Sequence, residues 1–414
     1  MKQVYIDSNG CAILRHETYR IAKFFELNSW IEVSNVENAD LVVVTCCGVT
    51  ETDEENAISM ISNLWNKKQR NAIFIITGCL PKIDQERLLK KYPTAFLIGN
   101  DEMDKFDDIA NGNVKISDVY YNVGATRKYY FDKEQFQEDS DLIFVNKIQS
   151  LYNTDILLDQ YNYSTPRHYI WKESDIYQVR VSYGCGGNCS FCATKLGIGN
   201  FRSISIKSIL HQITEGIDKG YTKIMLVGDE IGFYGLDIGL TLTHLIDEIY
   251  KINNKLKVGI RYIYPDMFVK YYPELKKYIE SGFIYYFCSA IQTASPRLLK
   301  LMNRNPNITP FVECMKEINV RNYPIIKHSQ IIVGFPTETD EDVVETLLCL
   351  MDCDFDYLNI NPFSFRKGTK AYNLSKFRID SEIIKSRCKI YENYLKINRS
   401  AKLYDKLKSI ILNK

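Results

Sequence analysis

Cys185, Cys189 and Cys192 stand in the stretch SYGCGGNCSFCATK with C-x3-C-x2-C spacing, directly after the apolar run YQVRVS. Thiolates hold iron–sulfur clusters, and a four-iron cube has four corners to ligate. Three cysteines in so short a loop can wrap three corners of one cube and leave the fourth iron open. Gly184, Gly186 and Gly187 let the backbone turn tightly and come close to such a cluster. The competing chemistry is a structural zinc knot, but zinc sites of that kind usually close with four ligands and often use a C-x2-C pair. An open iron, by contrast, can take a small molecule through an amine and a carboxylate, and S-adenosylmethionine (SAM) offers both.

Further cysteines follow apolar runs nearer the N-terminus. Cys11 comes after VYI (4–6), Cys46 and Cys47 after LVVVT (41–45), and Cys79 after IFIIT (73–77). In a parallel sheet the strand ends of one polarity share an edge, and ligands collect in the crevice outside the carboxyl ends. Cysteines far apart in sequence can meet there, so a second three-cysteine cluster site is expected. Cys288, Cys314, Cys349, Cys353 and Cys388 lie in periodic or apolar surroundings and read as packing. The five histidines do not cluster, and none is assigned catalysis.

The elements that must position these thiols alternate. Residues 1–115 pair short apolar runs with helical stretches such as HETYRIAKFFELN, the pattern of a doubly wound parallel sheet. Residues 116–172 break the rhythm; they are Tyr-rich, acidic in the middle, and read as an inter-domain segment. From 173 the alternation resumes for about six βα units, too few for a closed eight-stranded barrel. The expected fold class is therefore α/β: a doubly wound N-terminal domain, a partial (β/α)6 barrel over 173–375, and an amphipathic C-terminal helix within 376–414.

The composition is that of a globular protein, with 45% hydrophobic and 25% charged residues. A net charge of +1 supplies no broad field to favour nucleic acid or an anionic membrane. No apolar run approaches the roughly 20 residues of a membrane helix, and MKQVYIDSNGC has no apolar signal core. A cytoplasmic location without a membrane partner is expected. Twelve cysteines clustered in a large chain of that kind point to metal or redox chemistry rather than disulfides.

The triplet at 185–192, with Phe191 before its last cysteine, resembles the radical SAM superfamily. The six cysteines together resemble the methylthiotransferases within it, over roughly residues 1–375. TCCGVT matches their pattern with Cys47 as ligand and Cys46 as its neighbour in the strand; a shift of one residue would exchange them. GCLPK matches the segment around Cys79. LVGDEIGFYGLD (226–237), RYIYP (261–265), QTASPRLLKLMNR (292–304), IIVGFPTET (331–339) and FSFRKGT (363–369) match segments of the radical domain. The YGLD and QTAS stretches look more like the branch that modifies a ribosomal-protein aspartate than the tRNA-modifying branches.

The resemblance implies two [4Fe–4S] clusters, SAM as cofactor and a reductant such as flavodoxin or ferredoxin. Cys185, Cys189 and Cys192 would hold the catalytic cluster, from which one electron cleaves SAM to a 5′-deoxyadenosyl radical. Cys11, Cys47 and Cys79 would hold an auxiliary cluster on the sulfur side of the reaction. Gly228, Asp229 and Glu230 would line the SAM methionine pocket, with Glu230 accepting from the ammonium group. Arg261 would pair with the carboxylate, and Gln292, Ser295 and Gly334 would border the nucleoside or substrate. The alternatives for these pocket residues are a surface charge for Glu230 or Arg261, a strand-end turn for Gly334, and an ordinary loop and helix cap for Gln292 and Ser295.

The chain departs from the family in three places. No strand-rich stretch after the C-terminal helix matches the family's small RNA- or protein-contacting barrel, the TRAM domain. Asp229-Glu230 replaces a Gln followed by Asp or Asn, and Gln330 stands where many members have Asp. With the balanced charge, this favours a peptide or protein side chain as substrate, with tRNA adenosine as the alternative. Two other readings stand beside these: a radical SAM enzyme of natural-product biosynthesis whose auxiliary cluster delivers no sulfur, and a non-catalytic iron–sulfur protein.

Overall fold

The computed structural model describes residues 2–119 and 176–412. The Tyr-rich stretch from 120 to 172 lies outside the described residues. Contacts group the chain into two compact units, the first drawn from residues 1–130, 177–256 and 364–375, the second from 131–176, 257–363 and 376–414.

The first unit opens with five strands: β1 (Gln3–Ser8), β2 (Ile31–Glu32), β3 (Leu41–Cys46), β4 (Ile73–Gly78) and β5 (Phe96–Gly99). All pair in parallel, in the order β2-β1-β3-β4-β5. The order reverses between β1 and β3, which is the switch point where doubly wound sheets open a crevice. Helices α1 (Ala12–Leu27), α2 (Glu51–Lys67), α3 (Leu80–Ile83), α4 (Gln85–Lys91) and α5 (Lys105–Ala110) connect and cover these strands.

Strand periodicity divides the core into two layers. Leu41 and Val43 join Ile21, Phe24 and Phe25 of α1 and Phe106 of α5 on one face. Val42, Val44 and Cys46 join Ala57, Ile58, Ile61 and Leu64 of α2 on the other. Successive strand side chains point to opposite faces, so an unbroken apolar run such as LVVVTC serves both layers. The layer under α1 also takes in Ile116 and Val119, beyond the expected boundary at 115.

The remaining part of this unit carries β6 (Ile176–Arg180), β7 (Ser182–Tyr183), β8 (Arg202–Ser203) and β9 (Lys223–Val227), with helices α6 (Thr194–Ile198), α7 (Ile206–Asp218) and α8 (Leu242–Ile252). Strands β7 and β8 pair antiparallel, Tyr183 opposite Arg202, and pinch the base of the 184–201 loop. Residues 364–375 belong here too. The Glu51 N–H donates to Ser364 Oγ at 3.0 Å, and Arg366 pairs with Glu54 on α2. The Ala371 N–H donates to the Ser190 carbonyl at 2.8 Å, inside the cysteine loop.

In the second unit β10 (Lys257–Arg261), β11 (Ile284–Cys288), β12 (Ile326–Val333) and β13 (Tyr357–Pro362) pair in parallel and in sequence order. Between them run α9 (Pro265–Glu280), α10 (Pro296–Leu301), α11 (Thr309–Arg321) and α12 (Asp340–Cys353); α13 (Ser381–Leu412) follows. Strands β6 and β9 belong to the first unit and strands β10 to β13 to the second. No described helix is long and apolar enough to cross a membrane.

Candidate active site

Cys11, Cys47 and Cys79 follow β1, β3 and β4, three neighbours in the first sheet, at their carboxyl ends. Cys11 is exposed at the start of α1, whereas Cys47 and Cys79 are buried. Burial, with the facing Cys11 thiol and Asp53, pushes the Cys47 thiol up. Burial, followed by the charges of Cys47, Cys11 and Asp229, also pushes the Cys79 thiol up. Each of the three thiols thus lies within electrostatic reach of the other two.

The adjacent cysteines part ways. Cys46 ends β3 in step with Val42 and Val44, and its thiol packs in the α2 layer against the Val44 carbonyl. Cys47, one residue on, lies with Leu14, Cys79 and Ile198 in a separate small apolar cluster. Asn9 Oδ1 accepts the Cys47 N–H at 3.0 Å, and its Nδ2 donates to the Asp53 carbonyl at 3.0 Å, tying the β1 turn to the β3 turn.

The second triplet is local. Strand β7 ends at Tyr183, and Gly184 turns the chain with φ +66°, where a Cβ would sit 2.9 Å from the Asn200 carbonyl oxygen. The Gly187 N–H donates to Cys185 Sγ at 3.2 Å. Burial raises the Cys192 thiol, opposed by hydrogen bonds from Thr194 and from the Lys195 N–H at the start of α6. At Gly186 a Cβ would press on the Phe233 ring at 2.9 Å, so the loop backbone packs flat against that ring.

The two triplets share a scaffold inside the first unit. Helix α6, which follows Cys192, packs so closely on Cys79 that a Cβ at Gly197 would lie 2.7 Å from the Cys79 Cβ. Asn100 spans the same joint, donating to the Gly197 carbonyl at 3.0 Å and approaching Cys79 Sγ at 3.8 Å. Asp229, after β9, accepts the Gly184 N–H at 2.9 Å and is one of the charges felt by Cys79.

The residues present suit iron–sulfur clusters. The donors are thiols, N–H groups point at sulfur, and glycines stand where side chains would push the cysteine arms apart. Among the described residues no group of His, Cys, Asp and Glu could hold a single metal ion. A cube spreads its irons over separate corners, so its thiolates need not close on one point.

Gly228 has no room for a Cβ, which would lie 2.7 Å from Ser182 Oγ. Glu230 is fully buried rather than a surface charge, and its Oε1 accepts the Gly232 N–H at 2.9 Å. In the second unit Arg261 ends β10 half-buried, with Nη2 2.8 Å from the Tyr262 hydroxyl. Gln292 adopts φ +67°, its backbone is held by Gln330 and Ile332, and its Oε1 is buried with no hydrogen-bond partner. Ser295 caps α10 and donates to Asp342 Oδ1 at 2.5 Å. Gly334, at φ +82°, leaves space for Ile384 of α13, and its N–H donates to Glu338 at 2.9 Å. Helix capping accounts for Ser295, and close approach of a helix accounts for Gly334.

Comparison with known proteins matches this layout. A profile of the radical SAM superfamily matches residues 179–350, and one of the uncharacterized protein family UPF0004 matches residues 3–99. The threonylcarbamoyladenosine tRNA methylthiotransferase MtaB of Aquifex aeolicus is 28% identical over 411 residues, 98% of this chain and 90% of that protein. The tRNA-2-methylthio-N(6)-dimethylallyladenosine synthase of Thermotoga petrophila is 26% identical, over 95% of this chain and 82% of that one. The ribosomal protein uS12 methylthiotransferase RimO of Campylobacter fetus is 26% identical, over 96% and 81%.

The chain belongs to the radical SAM methylthiotransferase family. As a member it is an enzyme, a transferase that uses SAM and a [4Fe–4S] cluster. Among solved structures, the radical SAM methyltransferase TsrM from Kitasatospora setae superposes with a TM-score of 0.58 at 12% identity, over 90% of this chain and 74% of that one. That likeness is one of fold.

Several residues around the methylthiotransferase thiols escaped the sequence reading: Asn9, Asn100, Glu17 and Arg180. Asn9 and Asn100 had a signal, since each stands just past the end of a strand, in VYIDSN and AFLIGN. Glu17 and Arg180 had none, because their pairing joins residues 163 apart.

Proposed function

We propose that this methylthiotransferase-family chain replaces a hydrogen on an unactivated carbon with a methylthio group and uses two four-iron clusters to do so. Cys185, Cys189 and Cys192 would hold the cluster at which SAM binds, and Cys11, Cys47 and Cys79 the second. When bound, these groups supply one-electron reductive cleavage of SAM and a source of sulfur. The observation that carries the reading is the mutual approach of Cys11, Cys47 and Cys79, with Cys79 lying against the helix that follows Cys192.

The chain's own residues do the rest. Asn9 holds the Cys47 turn, Asn100 holds Cys79 to Gly197, and the Gly187 N–H stabilises the Cys185 thiolate. Glu230 supplies the negative charge that accepts from the ammonium of SAM, Gly228 and Asp229 line the same pocket, and Arg261 is a partner for the carboxylate. Gln292 offers an unpartnered amide oxygen to nucleoside or substrate. A flavodoxin or ferredoxin is the proposed reductant.

The proposed substrate is a peptide or protein side chain, supported by the balanced charge and by the name of the RimO relative. Adenosine in tRNA is the second reading, favoured by the names of the MtaB and Thermotoga relatives. The test is reconstituted enzyme with SAM and reductant, followed by mass spectrometry of peptide and nucleoside digests. A gain of about 46 Da identifies methylthiolation and the fraction carrying it identifies the substrate. Simple dehydrogenation, or iron content near four per chain rather than about eight, overturns the proposal.

A further inference from the structure

A buried ionic group joins α1 to the turn before Cys185, and neither triplet needs it for ligation. Glu17 sits on α1, the helix that Cys11 begins. Its Oε1 is 2.6 Å from Arg180 Nη1 and accepts the Tyr183 hydroxyl at 3.2 Å, while its Oε2 is 3.4 Å from Arg20. Arg180, on β6, reaches the other way to Asp229 Oδ2 at 3.9 Å and donates from Nε to the Ser182 carbonyl at 3.2 Å. Asp229 holds the Gly184 N–H, the residue before Cys185. The side chains of Arg180, Glu17 and Asp229 are 2%, 3% and 6% exposed. The Tyr183 ring is gripped between two guanidinium groups, Arg180 at 3.7 Å and Arg202 at 4.0 Å.

Buried ion pairs give little net stability, because desolvation opposes the Coulomb attraction; their best-attested use is to fix register. Here one guanidinium is shared by two carboxylates, and each carboxylate governs one cysteine arm. Glu17 belongs to the helix that begins at Cys11. Asp229 fastens the turn that begins the Cys185 loop. Any shift of α1 against the loop would leave a buried charge unpaired, so the group resists sliding far more strongly than apolar packing would.

We propose that Glu17, Arg180 and Asp229 are positioning residues that lock the Cys11 arm and the Cys185 loop in one register, and so set the separation between the two thiol triplets. The inference rests on the two-cluster reading above. Asp229 thus brings a second carboxylate to the same buried guanidinium.

The test uses anaerobically reconstituted full-length chain and the variants Glu17→Gln, Asp229→Asn, Arg180→Gln and Arg180→Lys. Iron and sulfide are counted, and the dithionite-reduced protein is examined by electron paramagnetic resonance for the magnetic interaction between clusters. Wild type shows about eight irons and an interaction-broadened spectrum. Glu17→Gln and Asp229→Asn, which keep shape and hydrogen-bonding ability, retain the iron but change the broadening, and Arg180→Lys restores most of what Arg180→Gln loses. Unchanged broadening in both carboxylate variants at full iron content overturns the positioning role while leaving the two-cluster reading intact. Wild type with only about four irons overturns both. Should Arg180→Gln fail to fold, the two carboxylate variants still decide.

Discussion

The two cysteine triplets of the first unit are built in opposite ways. Cys185, Cys189 and Cys192 lie within eight residues, in a loop whose base is closed by the short antiparallel pair β7–β8. Cys11, Cys47 and Cys79 are separated by 36 and 32 residues and meet only because β1, β3 and β4 are neighbours. The loop triplet is half-exposed and carries its own hydrogen-bond donors to sulfur. In the strand-end triplet two of the three thiols are buried, and burial first, then neighbouring charge, raises their pKa. A local site keeps its ligand spacing through small movements of the fold, whereas a site assembled by a sheet is only as precise as the sheet.

Substitutions can break this contrast, the largest effect coming from the loop triplet. Cys189→Ala removes a proposed ligand of the SAM-binding cluster. It should abolish reductive SAM cleavage by about a thousandfold or more, measured as 5′-deoxyadenosine release, while about four irons remain at the other site. Cys47→Ala should do the converse: iron falls to about four, SAM cleavage persists, and sulfur transfer is lost. If both variants lost all iron, the triplets would not be independent sites.

A milder cut acts on the joint between them. Gly197→Ala places a methyl group 2.7 Å from the Cys79 Cβ and 2.9 Å from its Cα, in backbone that cannot yield as a flexible side chain would. The overpacking should destabilise the fold by about 1–3 kcal/mol in denaturant unfolding and lower iron retention at the strand-end site first.

The pH dependence of cluster assembly separates the two sites further. Burial and neighbouring charge raise the pKa of Cys47 and Cys79, so the native apo chain holds both protonated at neutral pH. A raised folded-state pKa contributes stability that is complete below the ordinary thiol value of about 8.5 and is lost as pH rises through the folded value. Ligation requires the thiolate, so loading of the strand-end site should go on accelerating as pH rises past the ordinary thiol value of about 8.5, whereas in the loop site hydrogen bonds from Thr194 and Lys195 oppose the rise at Cys192. Absorbance of Cys189→Ala and Cys47→Ala during reconstitution reads each site alone.

The smallest effect belongs to the neighbour that is not proposed as a ligand. Cys46→Ala should keep full iron content and cost about 1 kcal/mol from the lost buried sulfur in the α2 layer. Loss of half the iron in this variant would exchange the roles of Cys46 and Cys47.

Much of this was legible in the chain. The strand–helix alternation announced both halves of the fold, and the run LVVVTC already contained the choice between its cysteines. Counting in twos from Val42 places Cys46 on the same face as Val44, inside a layer, and leaves Cys47 at the strand end where ligands gather. Other features were left open or out of reach. The sequence placed Glu230 in the SAM pocket with a surface charge as the alternative, and the structure buries it fully, at the turn after β9. Ser295 and Gly334 match a family motif, but their contacts are a helix cap and a close helix crossing. The segment FSFRKGT follows the last strand in sequence, yet Ser364 and Arg366 are fastened to α2, more than 300 residues away.

The sequence by itself determined the chemistry and the class of fold, because ligand type, ligand spacing and hydrophobic period are local properties. The tertiary structure alone decided which thiols face one another, which carboxylates are buried, and that Arg180 joins Glu17 to Asp229. The physical reason is range. A thiol's identity is written at one position, but its ionisation and its partners depend on what burial and strand order bring within a few ångströms, and those neighbours lie scores of residues distant along the chain.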